Sequence, residues 1–196
     1  MKRVSLILAA LLISITLLTV RAEADPIIDG STDFSVTDKW EATVYWAVFA
    51  PHTDPPELGD IDYYAYLYGI YNWDTSVKSL SQLAIDNPFG LTIIDAGSFA
   101  YEEFDDVNVF ADPSYGTDGV VYTFTDPYIG ADKYSYVLWF TSPDEPGWVS
   151  AGLQAPGFND SKYIPGPVIP EPTSLFLLGA GLLGLVSGMI RKRFTA

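Results

Sequence analysis

The chain has 196 residues and a formal net charge of −15 at pH 7. It contains no cysteine, which excludes a disulfide framework, a thiolate metal site and a cysteine nucleophile. Between residues 25 and 170 its basic side chains are Lys39, Lys78, Lys133 and Lys162. Nucleic acid and anionic lipid surfaces need clustered Lys or Arg, so we expect neither as a partner of this portion. The acidic surface is interpreted as a solubility feature, with cation recruitment as the alternative.

The first 24 residues have the three parts of a secretory signal peptide. Lys2 and Arg3 supply the positive charge, residues 4–20 form an uncharged apolar run, and a small-x-small pattern ends the segment. An uncleaved anchor is the alternative, although the run is at the short limit for a membrane span. We predict that a signal peptidase removes residues 1–24, cutting after Ala24 or, alternatively, after Ala22.

Residues 25–155 have the pattern of an all-β domain. Clusters of Pro, Gly, Asn and Asp recur between short aromatic or β-branched runs, which is typical of an antiparallel β-sandwich or barrel. We predict a sandwich ectodomain. The predicted strands are 41–50, 62–73, 79–86, 91–96, 107–110, 120–125, 134–141 and 149–155. The run at 79–86 is equally compatible with a short helix, and no sustained helical period occurs between the two termini.

Aromatic residues are concentrated in one predicted strand. Apolar residues alternate there with a period of two, which places each set on one face of a sheet. We interpret them as core and rim of the sandwich, with a sugar-stacking platform as the alternative if one face is exposed. The residues are Tyr63, Tyr64, Tyr66, Tyr68, Tyr71 and Trp73.

Candidate catalytic groups are few. His52 is the only histidine and no Gly-x-Ser-x-Gly occurs, so neither a Ser-His-Asp site nor a nitrogen-rich zinc site is expected. We predict an exposed loop histidine and a non-enzymatic protein. A glycosidase needs only two carboxylates, and three pairs would supply the residue types: Glu102 with Glu103, Asp105 with Asp106, and Glu41 with Glu57.

Calcium is the one cofactor that the sequence leaves open. Two acidic stretches place hard oxygen ligands close together, and neither matches an EF-hand or a glycine-rich nonapeptide repeat. Solvated acidic loops are the simpler interpretation, so no cofactor is predicted. The residues concerned are Asp60, Asp62, Glu102, Glu103, Asp105 and Asp106.

The C-terminal part of the chain, from residue 156 onward, differs in character from the rest. Residues 156–167 are rich in Pro and Gly and are predicted to be a linker. Pro170, Glu171 and Pro172 then precede an uncharged run at 175–190, which would extend about 24 Å as a helix. We predict a transmembrane helix at 174–190. Its C-terminus would be held in the cytoplasm by a basic cluster, which consists of Arg191, Lys192 and Arg193.

Residues 168–196 resemble the PEP-CTERM sorting signal, also catalogued as an ice-binding-protein C-terminal domain. The order Val-Ile-Pro-Glu-Pro-Thr-Ser, the "LLGAGLLGL" body and the basic end carry the resemblance. It implies that an inner-membrane exosortase recognises Pro170-Glu171-Pro172, cuts near it and passes the protein outward in a Gram-negative envelope. A plain single-span anchor is the alternative.

The resemblance also implies a setting of exopolysaccharide production and biofilm formation. We therefore expect a surface or extracellular-matrix protein with a structural or adhesive role, transiently held in the inner membrane and in contact with exopolysaccharide. Two alternatives stay open: a small secreted carbohydrate-active enzyme and a calcium-dependent adhesin.

Overall fold

The computed structural model describes residues 25–87, 90–100, 108–125 and 128–168. Within these ranges the chain forms β-strands joined by turns and loops. The strands are β1 (Ile28–Val36), β2 (Trp40–Phe49), β3 (Tyr64–Asn72), β4 (Gln82–Asp86), β5 (Asp95–Phe99), β6 (Asn108–Val109), β7 (Ala111–Gly116), β8 (Gly119–Phe124), β9 (Lys133–Ser135), β10 (Val137–Ser142), β11 (Pro146–Ala155) and β12 (Phe158–Pro167).

The first sheet has its main strands in the order β1-β2-β3-β10-β5. These neighbours are antiparallel. Short strand β9 pairs with the end of β3 and also, in parallel, with β6. The first sheet therefore carries a small extension at the end of β3.

The second sheet has the order β12-β11-β4-β8-β7, and all of its pairs are antiparallel. From Trp148 onward, strand β11 alternates between more exposed and buried positions, with Val149, Ala151 and Leu153 inward. This period of two is what the backbone geometry of a strand requires when one face is covered. In the part of the chain that the structure describes, the predicted antiparallel all-β fold is confirmed, with β6–β9 as a parallel pair.

One hydrophobic core joins the two sheets. Phe34, Tyr66 and Phe140 of the first sheet and Tyr122 and Leu153 of the second belong to the same buried cluster. The sheets also meet at their edges: β1 contacts β12 and β5 contacts β7. The architecture is therefore a β-sandwich whose lateral openings are narrowed by contacts between edge strands.

The predicted strands are recovered with some changes. The run at 79–86 is strand β4 and not a helix. The strand predicted at 91–96 begins later, at Asp95. Strand β1 was not predicted, because its sequence is polar and includes Gly30, which leaves room for the Trp46 ring that lies against it.

The predicted linker at 156–167 is wrong for most of its length. Residues 158–167 form β12, which pairs with β11 along its whole length, from Phe158 opposite Ala155 to Pro167 opposite Pro146. Prolines are accommodated there because β12 is an edge strand of its sheet, where a missing N–H donor breaks fewer ladder bonds. The ectodomain therefore continues past residue 155, up to the start of the tail.

Within the described ranges no helix is long and apolar enough to cross a membrane. The predicted signal peptide at 1–24 and the predicted transmembrane helix at 174–190 lie outside those ranges.

Candidate functional site

Four aromatic residues gather on the outer face of the first sheet, and we call them the outer-face aromatic cluster: Tyr45, Tyr71, Trp73 and Tyr134. Strand alternation places them there. Tyr71 follows the buried Ile70 on β3, and it pairs with Tyr134 on β9. Tyr45 lies on the neighbouring strand β2, opposite Gly69. The cluster thus draws on three strands and on the loop that follows β3.

Three rings of the cluster contact one another. The Tyr71 and Tyr134 rings stack with centroids 4.6 Å apart and an interplanar angle of 28°. The Tyr71 and Trp73 rings meet edge to face at 5.4 Å and 61°. Both geometries are favourable for aromatic pairs. Tyr71 is therefore the central ring of the cluster.

Hydrogen bonds hold the polar ends of these rings in place. The Trp73 indole N–H donates to the hydroxyl oxygen of Thr43 at 3.1 Å, and this hydroxyl donates in turn to Oδ1 of Asp33 at 2.7 Å. The Tyr71 hydroxyl donates to Oδ1 of Asp132 at 2.7 Å. The rings are consequently oriented by a carboxylate at each end of the cluster.

The tyrosines of the cluster remain protonated well beyond neutral pH. Partial burial, with the nearby Tyr45 and Asp132, raises the pKa of Tyr134 to about 12. Partial burial also raises the pKa of Tyr71, aided by its hydrogen bond to Asp132, and that of Tyr45, aided by Asp33. At neutral pH the site therefore consists of uncharged hydroxyls beside carboxylates.

The outer face has an open half and a closed half. A Cβ atom built on Gly69 would have no atom within 4 Å, so the sheet surface beside Tyr45 is open. Farther along the same face, Phe49, Ala65 and Leu67 are buried beneath other side chains. The covering residues include Leu58, Ile61 and Trp139. The aromatic cluster lies on the open half.

The aromatic series predicted from β3 divides between the two faces of the sheet. Tyr66 and Tyr68 are core residues, as the sandwich-core interpretation predicts, and both rings stack on Phe140. Their hydroxyls donate to the carbonyl oxygens of Asp144 and Pro165, at 2.9 and 2.6 Å. Tyr71 and Trp73 are the members that face outward. Sequence reasoning missed Tyr45 and Tyr134 as partners, because their proximity depends on strand pairing.

His52 is an exposed loop residue, as predicted. Its Nδ1 lies 3.4 Å from Oδ1 of Asp62, and the two side chains are 76% and 80% exposed. A contact this exposed contributes little to stability.

Of the carboxylates proposed for a glycosidase or for calcium, the structure describes Glu41, Glu57, Asp60 and Asp62. Glu41 lies at the start of β2, whereas Glu57 lies in the loop after β2 ends, so the length of the strand separates them. In the part of the chain that the structure describes, no three His, Asp or Glu side chains come together to hold a metal ion. Glu102, Glu103, Asp105 and Asp106 lie outside that part.

The processing residues predicted at both ends also lie outside the described ranges: Ala22, Ala24, Pro170, Glu171, Pro172, Arg191, Lys192 and Arg193. The structure does describe the point where the tail begins. The Val168 N–H donates to the carbonyl oxygen of Glu145 at 2.9 Å, and the Val168 side chain packs against the core. The folded domain therefore extends to the first residue of the predicted sorting signal.

A comparison with known families matches residues 168–193 to the PEP-CTERM protein-sorting motif. No curated protein and no solved structure gives a significant match to this chain.

Proposed function

We propose, from the PEP-CTERM sorting motif that this chain carries, that its β-sandwich is a structural or adhesive component of the cell surface or extracellular matrix in contact with exopolysaccharide. The motif indicates an exosortase-sorted extracellular protein. Our proposal adds a role for the domain after it has been exported.

In this proposal the two ends of the chain act in sequence. Signal peptidase removes residues 1–24, and the apolar segment 174–190 then holds the protein in the inner membrane. The basic cluster at 191–193 sets the orientation, and exosortase recognises Pro170-Glu171-Pro172. Five residues, 169–173, lie between Val168 and the start of the span, so the two are at most about 20 Å apart along an extended chain. The folded domain would therefore lie close to the bilayer until it is released.

The observation that carries the matrix role is the outer-face aromatic cluster, whose four side chains are partly exposed on the surface of an exported domain. Tyr and Trp rings combine an apolar face with a polar end, so they suit ligands that expose both C–H groups and hydroxyls. Sugar rings have this composition. A non-enzymatic role is part of the proposal, and the separation of Glu41 from Glu57 along β2 supports it.

The sorting step is tested with Glu171→Ala in the native host. We expect the variant to stay in the inner-membrane fraction at its unprocessed size, because it removes the one charge of the recognised segment. Glu145→Ala, which removes an exposed carboxylate just before β11, is the matched control and should be processed normally. An unchanged size and location of Glu171→Ala would favour the plain anchor.

The matrix role is tested by fractionating the host and by deleting the gene. We expect the protein in the extracellular polysaccharide fraction, and a weaker biofilm in the deletion strain that returns to normal on complementation. Absence from that fraction together with an unaltered biofilm would remove the matrix role.

A further inference from the structure

The open half of the outer face combines aromatic rings with carboxylates. Asp33, Asp74 and Asp132 are all exposed, and each lies near a ring of the cluster. Asp33 raises the pKa of Tyr45, while Asp132 and Asp74 raise that of Tyr71. The surface is therefore apolar at its centre and negatively charged around it.

The carboxylates retain capacity for a ligand. Asp33 and Asp132 each use Oδ1 for the internal bonds from Thr43 and Tyr71, and an ionised carboxylate offers about four acceptor positions. The internal bonds also fix the direction of each carboxylate. A fixed acceptor loses less conformational freedom when it binds a donor.

The charge of the surroundings selects the type of donor. The neighbouring Lys133 precedes Tyr134 on β9, so strand alternation directs it away from the aromatic face. The whole chain carries a formal net charge of −15. Anionic sugars such as uronic acids would be repelled, whereas an ammonium group would be attracted both by the carboxylates and by the faces of the aromatic rings.

We propose that the outer-face aromatic cluster, with Asp33 and Asp132, binds a polysaccharide that contains amino sugars with free, protonated amino groups. The inference rests on the proposed matrix role and names the class of polysaccharide. A sugar ring lies over the open surface at Gly69, against Tyr45 and the Tyr71–Tyr134 pair. The ammonium groups of neighbouring sugars along the chain are bound by the carboxylates at the two ends of the cluster.

Binding is measured by isothermal titration calorimetry with the full-length chain in detergent. The probes are a glucosamine hexasaccharide, its fully N-acetylated counterpart and an oligogalacturonate of similar length. We expect the glucosamine oligomer to bind at least about tenfold more tightly than the acetylated one. A tenfold difference in Kd corresponds to about 1.4 kcal/mol of binding free energy. The oligogalacturonate should not bind, and added salt should weaken the glucosamine complex.

Variants locate the site. In the double variant Asp33→Asn, Asp132→Asn the amides still accept the internal hydrogen bonds, and we expect the preference for the glucosamine oligomer to disappear. Asp86→Asn, which changes an exposed carboxylate on the second sheet, is the matched control and should bind normally. Tyr45→Ala should weaken the binding of both oligomers. Thermal melting of each variant identifies any that fail to fold.

Three results would overturn the inference: equal affinity for the two oligomers, no binding by the folded protein, or an equal loss in Asp86→Asn. Each can be distinguished from failure of the proposed function. If the protein is present in the host matrix but does not bind glucosamine oligomers, only this inference is contradicted. A protein that binds them but is absent from the matrix, and whose deletion leaves the biofilm unaltered, contradicts only the matrix role.

Discussion

The ring of Tyr71 stacks on the ring of Tyr134 with centroids 4.6 Å apart. The contact joins β3, a central strand of the first sheet, to the three-residue strand β9. A strand this short makes few ladder hydrogen bonds, so side-chain contacts have a large share in holding it. The pair therefore links the aromatic site to the stability of the sheet extension.

A double-mutant cycle measures this link. We expect Tyr71→Ala and Tyr134→Ala each to destabilise the protein, and the double variant to lose less than the sum of the two. The coupling energy should be about 1 kcal/mol, which is typical of a stacked aromatic pair. Urea unfolding of the full-length chain in detergent provides the four free energies. Additivity within about 0.3 kcal/mol would mean that the stacking contributes nothing.

A second prediction concerns the turn between β7 and β8. Gly119 has φ 141°, a conformation that side chains rarely adopt, and a Cβ there would collide with the carbonyl oxygen of Ile85. We expect Gly119→Ala to destabilise the protein by about 3 kcal/mol or more, because backbone must move. Gly116→Ala is the control in the same turn, since a Cβ there would meet nothing within 4 Å. Equal melting temperatures for the two variants would contradict the prediction.

A third prediction concerns alkaline pH. Tyr68 and Tyr122 are buried, and burial raises the pKa of both well above the usual value. An unfolded chain loses these protons near pH 10, whereas the folded chain retains them. Stability is therefore fully present below about pH 10 and declines as the pH rises further, because the unfolded state then binds fewer protons.

Tyr122→Phe tests this dependence. At pH 7 it should cost about 1 kcal/mol, since the hydroxyl donates to the carbonyl oxygen of Trp139 at 2.7 Å. Above pH 10 its melting temperature should fall less steeply than that of the unaltered protein. Thermal melts between pH 7 and pH 11 measure both effects. Parallel curves throughout the range would show that the Tyr122 proton does not contribute.

A fourth prediction concerns the end of the folded domain. A chain ending at residue 168 retains β12, whereas a chain ending at residue 155 loses it. We expect the longer chain to unfold cooperatively and the shorter one to aggregate or remain unfolded, because it exposes the edge of β11 and loses the buried Ile164. Circular dichroism melts distinguish them. A cooperative, equally stable melt of the shorter chain would restore the linker interpretation.

Much of the fold was predictable because its signals are local. The alternation in β2, β3 and β11 and the turn clusters between strands are visible in short stretches, and they predicted an all-β chain correctly. Residues 158–167 misled the prediction, because their Pro and Gly content is typical of a linker. What makes them a strand is the partner β11, which supplies hydrogen bonds, together with the core that buries Ile164.

The sorting motif and the β-strand character of the domain can both be predicted from the sequence, because each depends on residues that are neighbours in the chain. The candidate site was decided by the tertiary structure. Tyr45, Tyr71 and Tyr134 are distant in sequence, and they come together because β2 and β9 both lie beside β3. Strand alternation marks Tyr71 as facing away from the core. Only the pairing of strands determines which rings lie next to Tyr71. It also places Gly69 beside Tyr45, where the surface is open.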